Sequence, residues 1–166
     1  MTEDIADFSF YSILNQLQIS YGCSYMYFSL EEIKNHSNRY VFQSNPDWFN
    51  EYTSNNLSKD CPLMVYGQNL MKRNHGNIII FNWNIISPEN IKQRNVMDAR
   101  KDLGLFHGFS ASVEKETHKI MCGFATKEKN SHFFQKIFSN ISVFKENFLN
   151  LHKIATNRLI LTQGKK

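Results

Sequence analysis

Residues 106–126, FHGFSASVEKETHKIMCGFAT, decide the fold. Phe106 to Val113 and Lys119 to Thr126 read as two strands, and the polar Glu114-Lys115-Glu116-Thr117 between them turns the pair into an antiparallel hairpin. Upstream, Ser87-Pro88-Glu89 starts a helix that runs through Ile91, Val96 and Ala99 toward Leu103, and Gly104 stands where a left-handed C-terminal cap is wanted. Downstream, Phe134, Ile137, Phe138, Ile141, Phe144, Phe148, Leu151 and Ile154 recur at helical spacing between Asn130 and about Asn157, which predicts the longest helix of the chain.

Further out the same pattern repeats. Ile5, Phe8, Tyr11, Leu14 and Leu17 recur every three residues and predict a first helix from about Asp4 to Gln18, ended by Tyr21-Gly22. Cys23 to Leu30 and Arg39 to Gln43 read as a first hairpin around a polar turn at Asn35-His36-Ser37-Asn38. Ser44-Asn45-Pro46-Asp47 has the chemistry of a helix start and predicts a short helix through Tyr52. Pro62 opens another helix, from Leu63 to Lys72, before the Asn74-His75-Gly76-Asn77 turn. Ile78-Ile79-Ile80-Phe81 is a continuous apolar run, read as a strand buried on both faces. About five strands in hairpins, with helices before, between and after them, define an α+β protein: an α-β-α sandwich with a central antiparallel sheet and helices on both faces. Residues 1–166 are expected to form one domain, with a cavity between one helical layer and the sheet.

Composition narrows the function. The net charge is +4, but Lys and Arg are scattered among Asp and Glu; the one compact basic stretch is Gly164-Lys165-Lys166, so direct nucleic-acid binding is not expected. Cys23, Cys61 and Cys122 are an odd set without CxxC spacing, which argues against a disulfide framework and a zinc site. The acidic start Met1-Thr2-Glu3-Asp4 is unlike a signal peptide, and no apolar run approaches the roughly 18 residues of a membrane span, so a cytoplasmic setting without membrane contact is expected. The aromatic complement, 14 Phe, 7 Tyr and 2 Trp, can wall a cavity as readily as fill one.

Two stretches carry the functional reading: Ser44-Asn45-Pro46-Asp47-Trp48-Phe49-Asn50-Glu51-Tyr52 followed by Cys61-Pro62, and Phe81-Asn82-Trp83 followed by Gly104-Leu105-Phe106-His107-Gly108. Trp48 and Tyr52 are four residues apart, so on a helix they share one face and offer an indole N–H and a phenolic O–H beside an apolar surface. Tyr25, Tyr27, Ile78, Ile80 and Met121 are candidates to line a dry slot next to them. In their joint order these motifs resemble the autoinducer-binding domain of LuxR-type quorum-sensing regulators, over essentially the whole chain and without the helix-turn-helix, although the segment from Pro62 to Trp83 is longer than the family's. The resemblance implies a pocket for an acyl-homoserine lactone or a related signal, in which Trp48 donates to the ring carbonyl, Trp83 packs near the ring and Tyr52 shapes the slot. It also implies a homodimer, or a heterodimer with a LuxR-type regulator, and a role in transcription control, with no cofactor, no metal and no catalysis.

The departures are as informative. Where the family has a ligand-binding Asp directly before the Pro, this chain has Cys61, with Asp60 one place earlier; either a bulge brings Asp60 inward or the amide contact is lost. The family's Tyr four residues before the Trp is Ser44 here. Pro62, Gly104 and Gly108 have structural readings: a helix start, a helix cap, and a glycine that lets a strand pass close to its neighbour. Leu159 to Gly164 reads as the beginning of a linker, so the chain is either naturally short, acting by pairing with and modulating a full-length regulator, or part of a longer one. Three rival classes are a PAS- or GAF-like domain holding another ligand, an enzyme using His107 or His118 with Cys122, although Cys122 lies in an apolar run and reads as a buried structural thiol, and an interaction module without a pocket that dimerises through the long helix from Asn130 to Asn157.

Overall fold

Side chains alternate along strand β1 (Tyr25–Glu32), Met26, Phe28 and Leu30 pointing to one side and Tyr25, Tyr27 and Ser29 to the other, and both sides are covered. The computed structural model describes residues 2–115, 117–129 and 132–163, with side chains described from residue 8 to 158. Its helices are α1 (Thr2–Tyr21), α2 (Pro46–Ser54), α3 (Pro62–Arg73), α4 (Ile91–Asp102), α5 (Phe133–Ser139) and α6 (Ile141–Gln163). The remaining strands are β2 (Asn35–Gln43), β3 (Ile79–Asn82), β4 (His107–Glu114) and β5 (His118–Thr126). The five strands form one antiparallel sheet in the order β2-β1-β5-β4-β3. Helices α1, α5 and α6 pack on one face and α2, α3 and α4 lie on the other, so the expected α-β-α sandwich is the architecture found.

The two layers use different aromatics. Phe10, Phe28, Phe109, Phe124, Phe144 and Phe148 fill the α1/α5/α6 side, where Phe109 stacks on Phe124 at 5.1 Å and meets Phe144 edge-on at 5.0 Å. Apolar rings predominate there, with Tyr40 beside Phe10 the buried ring that carries a hydroxyl. The other layer holds Tyr25, Tyr27, Trp48, Tyr52 and Trp83, rings that carry hydrogen-bonding groups.

Several elements differ from expectation. Phe8 and Tyr11 are 74% and 49% exposed, whereas Leu14 and Leu17 are buried as expected and Phe10 joins them. A strict three-residue step falls behind the helical period of 3.6, so that stripe rotates off the core; the Ile5 side chain lies outside those described. The first hairpin turns at Ile33-Lys34, and Asn35 to Asn38 belong to β2, with Glu32 opposite Asn35. Their polarity reflects an edge strand: His36 contacts Glu31 at 2.6 Å and Asn38 donates to Glu32 at 2.7 Å. Strand β3 is the opposite edge, with Ile79 and Phe81 buried, Ile80 half-buried and Ile78 exposed.

Helix α4 begins after Asn90, whose side chain accepts the Gln93 N–H at 3.0 Å, rather than at Ser87-Pro88. The expected single C-terminal helix is two. Asn140 donates its N–H to Ile137 and accepts from the N–H groups of Val143 and Phe144, ending α5 and starting α6. Asn130, the expected start of that helix, lies outside the described residues, as does the basic tail Gly164-Lys165-Lys166. Residues 159–163, read as the start of a linker, continue α6.

Candidate functional site

The Asn45 side chain accepts the Trp48 N–H at 3.0 Å, and Pro46 occupies the first turn of α2, where its missing N–H is no loss. This cap orients the α2 face that carries Trp48 and Tyr52, whose ring centroids are 5.2 Å apart. That face is one wall of a cavity of about 520 Å³ between the sheet and helices α2 and α3. Tyr25, Tyr27, Met121, Gly123 and Ser110 form its sheet side, and Leu63, Met64, Met71, Phe81, Trp83 and Arg100 close it from the helices and β3.

Six residues proposed from the sequence therefore share the cavity wall: Trp48, Tyr52, Trp83, Tyr25, Tyr27 and Met121. Two of their polar groups have hydrogen-bond partners. The Tyr25 hydroxyl accepts from Gln43 Nε2 at 2.9 Å and lies within hydrogen-bonding reach of the Trp48 indole. Trp83 Nε1 donates to Ser110 Oγ at 2.8 Å. Burial, and then the neighbouring Cys61 thiol, push the Tyr52 hydroxyl well above the usual phenol range; burial does the same to Tyr25, so both stay neutral.

Glycines seat Trp83. A Cβ at Gly108 would collide with the Trp83 ring and lie 2.5 Å from the Phe124 carbonyl oxygen, and a Cβ at Gly123 would lie 3.2 Å from Trp83 Cζ2. The reading of Gly108 as a close-approach glycine is thus explained by a strand and an indole together. Gly104, at φ +80°, is the left-handed residue after α4, and Pro62 is buried at the first position of α3.

Arg100 is the residue the sequence reading missed. It is 4% exposed, lines the cavity, and holds its guanidinium 4.4 Å from the centroid of the Trp83 ring. Its Nε and Nη1 are buried without a hydrogen-bond partner among the described residues. Burial lowers its pKa to about 10, opposed by Cys61 and Tyr25, so it remains charged at neutral pH. A stacked guanidinium gains about 0.5–2 kcal/mol, whereas removing an ion from water costs several; the indole alone does not offset the burial. The available signal was an arginine four residues after Val96, in the stripe Val96, Met97, Arg100 of α4.

Three proposed residues are not on the cavity wall. Ser44 Oγ accepts the Met26 N–H at 2.8 Å and ties the end of β2 to β1. Asp60 is half-buried in the turn Leu57–Asp60, without the bulge that would carry it inward. Cys61 is buried behind Tyr52 and leads into α3. Of the slot candidates, Ile78 is exposed and Ile80 packs against the opposite core, as alternation in a strand requires. The Cys–His couple is not assembled: Cys122 belongs to the phenylalanine core with its thiol pushed well up by burial, while His107 and His118 sit at the far ends of β4 and β5.

The described architecture defines a class: an antiparallel sheet between two helical layers, one of which encloses an aromatic cavity. Solved structures share it. The chain is similar to SdiA of Escherichia coli, with a TM-score of 0.58 and 14% identity over 90% of this chain and 61% of that one. It is also similar to CepR2 of Burkholderia cenocepacia, described as an N-acylhomoserine lactone dependent LuxR family transcription factor, with a TM-score of 0.55 and 13% identity over 93% of this chain and 85% of that one. The fold expected from the resemblance to LuxR-type sensor domains is therefore the fold found. The chain spans about three fifths of the SdiA chain. No protein-family model and no curated protein sequence matches it. Among the described residues, no helix is long and apolar enough to cross a membrane.

Proposed function

We propose that residues 1–166 act as one signal-sensing domain of the LuxR type, which binds an acyl-homoserine lactone or a related non-standard signal and couples its capture to dimerisation and transcription control. The observation that carries this reading is the cavity of about 520 Å³, walled by Trp48, Tyr52, Tyr25, Tyr27 and Trp83 in a fold shared with a lactone-dependent regulator. A cavity of that size, with an aromatic stretch and a polar end at Glu31, Arg39 and Lys119, suits a small amphiphile. The function is binding without catalysis or cofactor, in the cytoplasm, and the partner is a second copy of the chain or a LuxR-type regulator.

The test is thermal denaturation of the purified protein with acyl-homoserine lactones of graded chain length. A ligand at one hundred times its Kd stabilises the folded state by about 2.7 kcal/mol, enough for a clear rise in melting temperature. Trp48→Ala, which removes part of the wall, abolishes that rise. Absence of any rise across the series removes lactones as ligands, and a rise that Trp48→Ala leaves intact removes this cavity as their site.

A further inference from the structure

Three cations line the cavity, Arg39, Arg100 and Lys119, and among the described residues Arg100 is the one with buried N–H groups, at Nε and Nη1, that have no partner. Arg100 has five N–H groups in a plane and no acceptor of its own, and no ion pair involves it among the described residues. Among the described residues the one carboxylate on the cavity wall is Glu31, which stands opposite Arg39 and Lys119 and contacts His36. It is six residues along β1 from Tyr25, roughly 20 Å at strand spacing, and Tyr25 is the residue that shares Arg100's surroundings. At the Arg100 end the neighbouring groups are Trp83, Tyr25 and Cys61, none of them a carboxylate.

Of the two indole donors that would serve a neutral lactone carbonyl, that of Trp83 is engaged. The Trp48 indole is within reach of the Tyr25 hydroxyl, and Trp83 Nε1 donates to Ser110. A neutral carbonyl would also leave the buried guanidinium uncompensated, whereas a carboxylate brings acceptors and the missing charge together.

We propose that Arg100 anchors an anionic group, and that the preferred ligand of this cavity is an apolar-tailed carboxylate, such as the ring-opened acid N-acyl homoserine, rather than the lactone. This rests on the sensor reading and sharpens it. The Trp83 ring holds the guanidinium plane, and the aromatic wall from Tyr27 to Tyr52 takes the tail.

The experiment is calorimetric titration of the full chain with N-octanoyl homoserine and with N-octanoyl homoserine lactone, at a mildly acidic pH that keeps the lactone closed. The acid binds about tenfold or more tightly than the lactone, and Arg100→Met weakens the acid by at least about tenfold with little effect on the lactone, as expected for loss of a charge-assisted hydrogen bond. Arg100→Lys keeps the charge and falls in between. Circular dichroism establishes that Arg100→Met is folded, with a melting temperature equal to or above that of the parent because an uncompensated charge is gone. Equal or tighter lactone binding, or acid binding indifferent to Arg100→Met, overturns the inference and leaves the sensor reading standing. Failure of both molecules to bind overturns the two together for this acyl class.

Discussion

The Trp83 indole rests directly on Gly108, so closely that no Cβ fits between the ring and the strand. That contact organises the Arg100 end of the cavity: the indole placed there donates to Ser110 Oγ and supports the Arg100 guanidinium. A backbone position in β4 thereby sets the location of a charge carried by α4.

Gly108→Ala is consequently expected to be costly. The new methyl meets the Trp83 ring and, at 2.5 Å, the Phe124 carbonyl oxygen, and the latter belongs to the sheet backbone and has no rotamer to relieve it. Overpacking of this kind costs about 1–3 kcal/mol. Urea denaturation checks the loss, and Trp83 fluorescence shifts with it as the indole is displaced. Gly76→Ala is the control, because nothing lies within 4 Å of its Cβ position and only its φ of +81° is at stake.

Ser110→Ala isolates the polar half of the same seat. The indole N–H of Trp83, 5% exposed, loses its acceptor, and a buried unpaired donor costs about 1–3 kcal/mol. Ser110→Thr keeps the hydroxyl and is expected to recover most of that loss in the same denaturation series.

What could be read from the chain and what could not divides along locality. Trp48 and Tyr52 were found because their spacing and the Asn45-Pro46 cap are matters of nine neighbouring residues, and the β4–β5 hairpin for the same reason. Arg100 was not, because its meaning depends on Trp83, seventeen positions away and on another element. Ser44 shows the converse: proximity to Trp48 in sequence suggested the cavity, but the end of β2 directs its hydroxyl to the Met26 N–H. The length of α6 was underestimated for want of a stop signal, since Asn140, which divides the C-terminal helices, looks like any other polar residue on an amphipathic stripe.

Alkaline pH is expected to weaken the fold through its thiols. Burial pushes Cys23 up to about 12 and Cys122 well above the usual range, while an unfolded thiol titrates near about 8.5. Because the folded-state values are raised, the stability these groups contribute is intact below about pH 8.5 and declines as pH rises toward 12. Above about pH 9 unfolded tyrosines begin to ionise as well, and Tyr25, Tyr27 and Tyr52, raised by burial, add to the decline. The urea midpoint therefore falls from about pH 8.5 upward, and Cys23→Ala removes up to about 1.4 kcal/mol per pH unit of the decline. A midpoint that stays flat in the parent protein contradicts the assignment.

Cys61→Asp separates two readings of that position. If the position served only as the missing partner of a ligand amide, an aspartate there would strengthen lactone binding. The Cys61 side chain, however, lies behind Tyr52 and within electrostatic range of Arg100. A carboxylate at that point pairs with the guanidinium and takes the place the ligand's anion would hold. The expected result is a folded protein in which N-octanoyl homoserine binds about tenfold more weakly, with lactone affinity little changed. Breaking the new pair again with Arg100→Met leaves a buried aspartate uncompensated, and the double variant is expected to lose about 3–5 kcal/mol of stability relative to Cys61→Asp. Urea denaturation of the four proteins of that cycle measures the coupling directly, and additive effects would place Cys61 out of reach of Arg100.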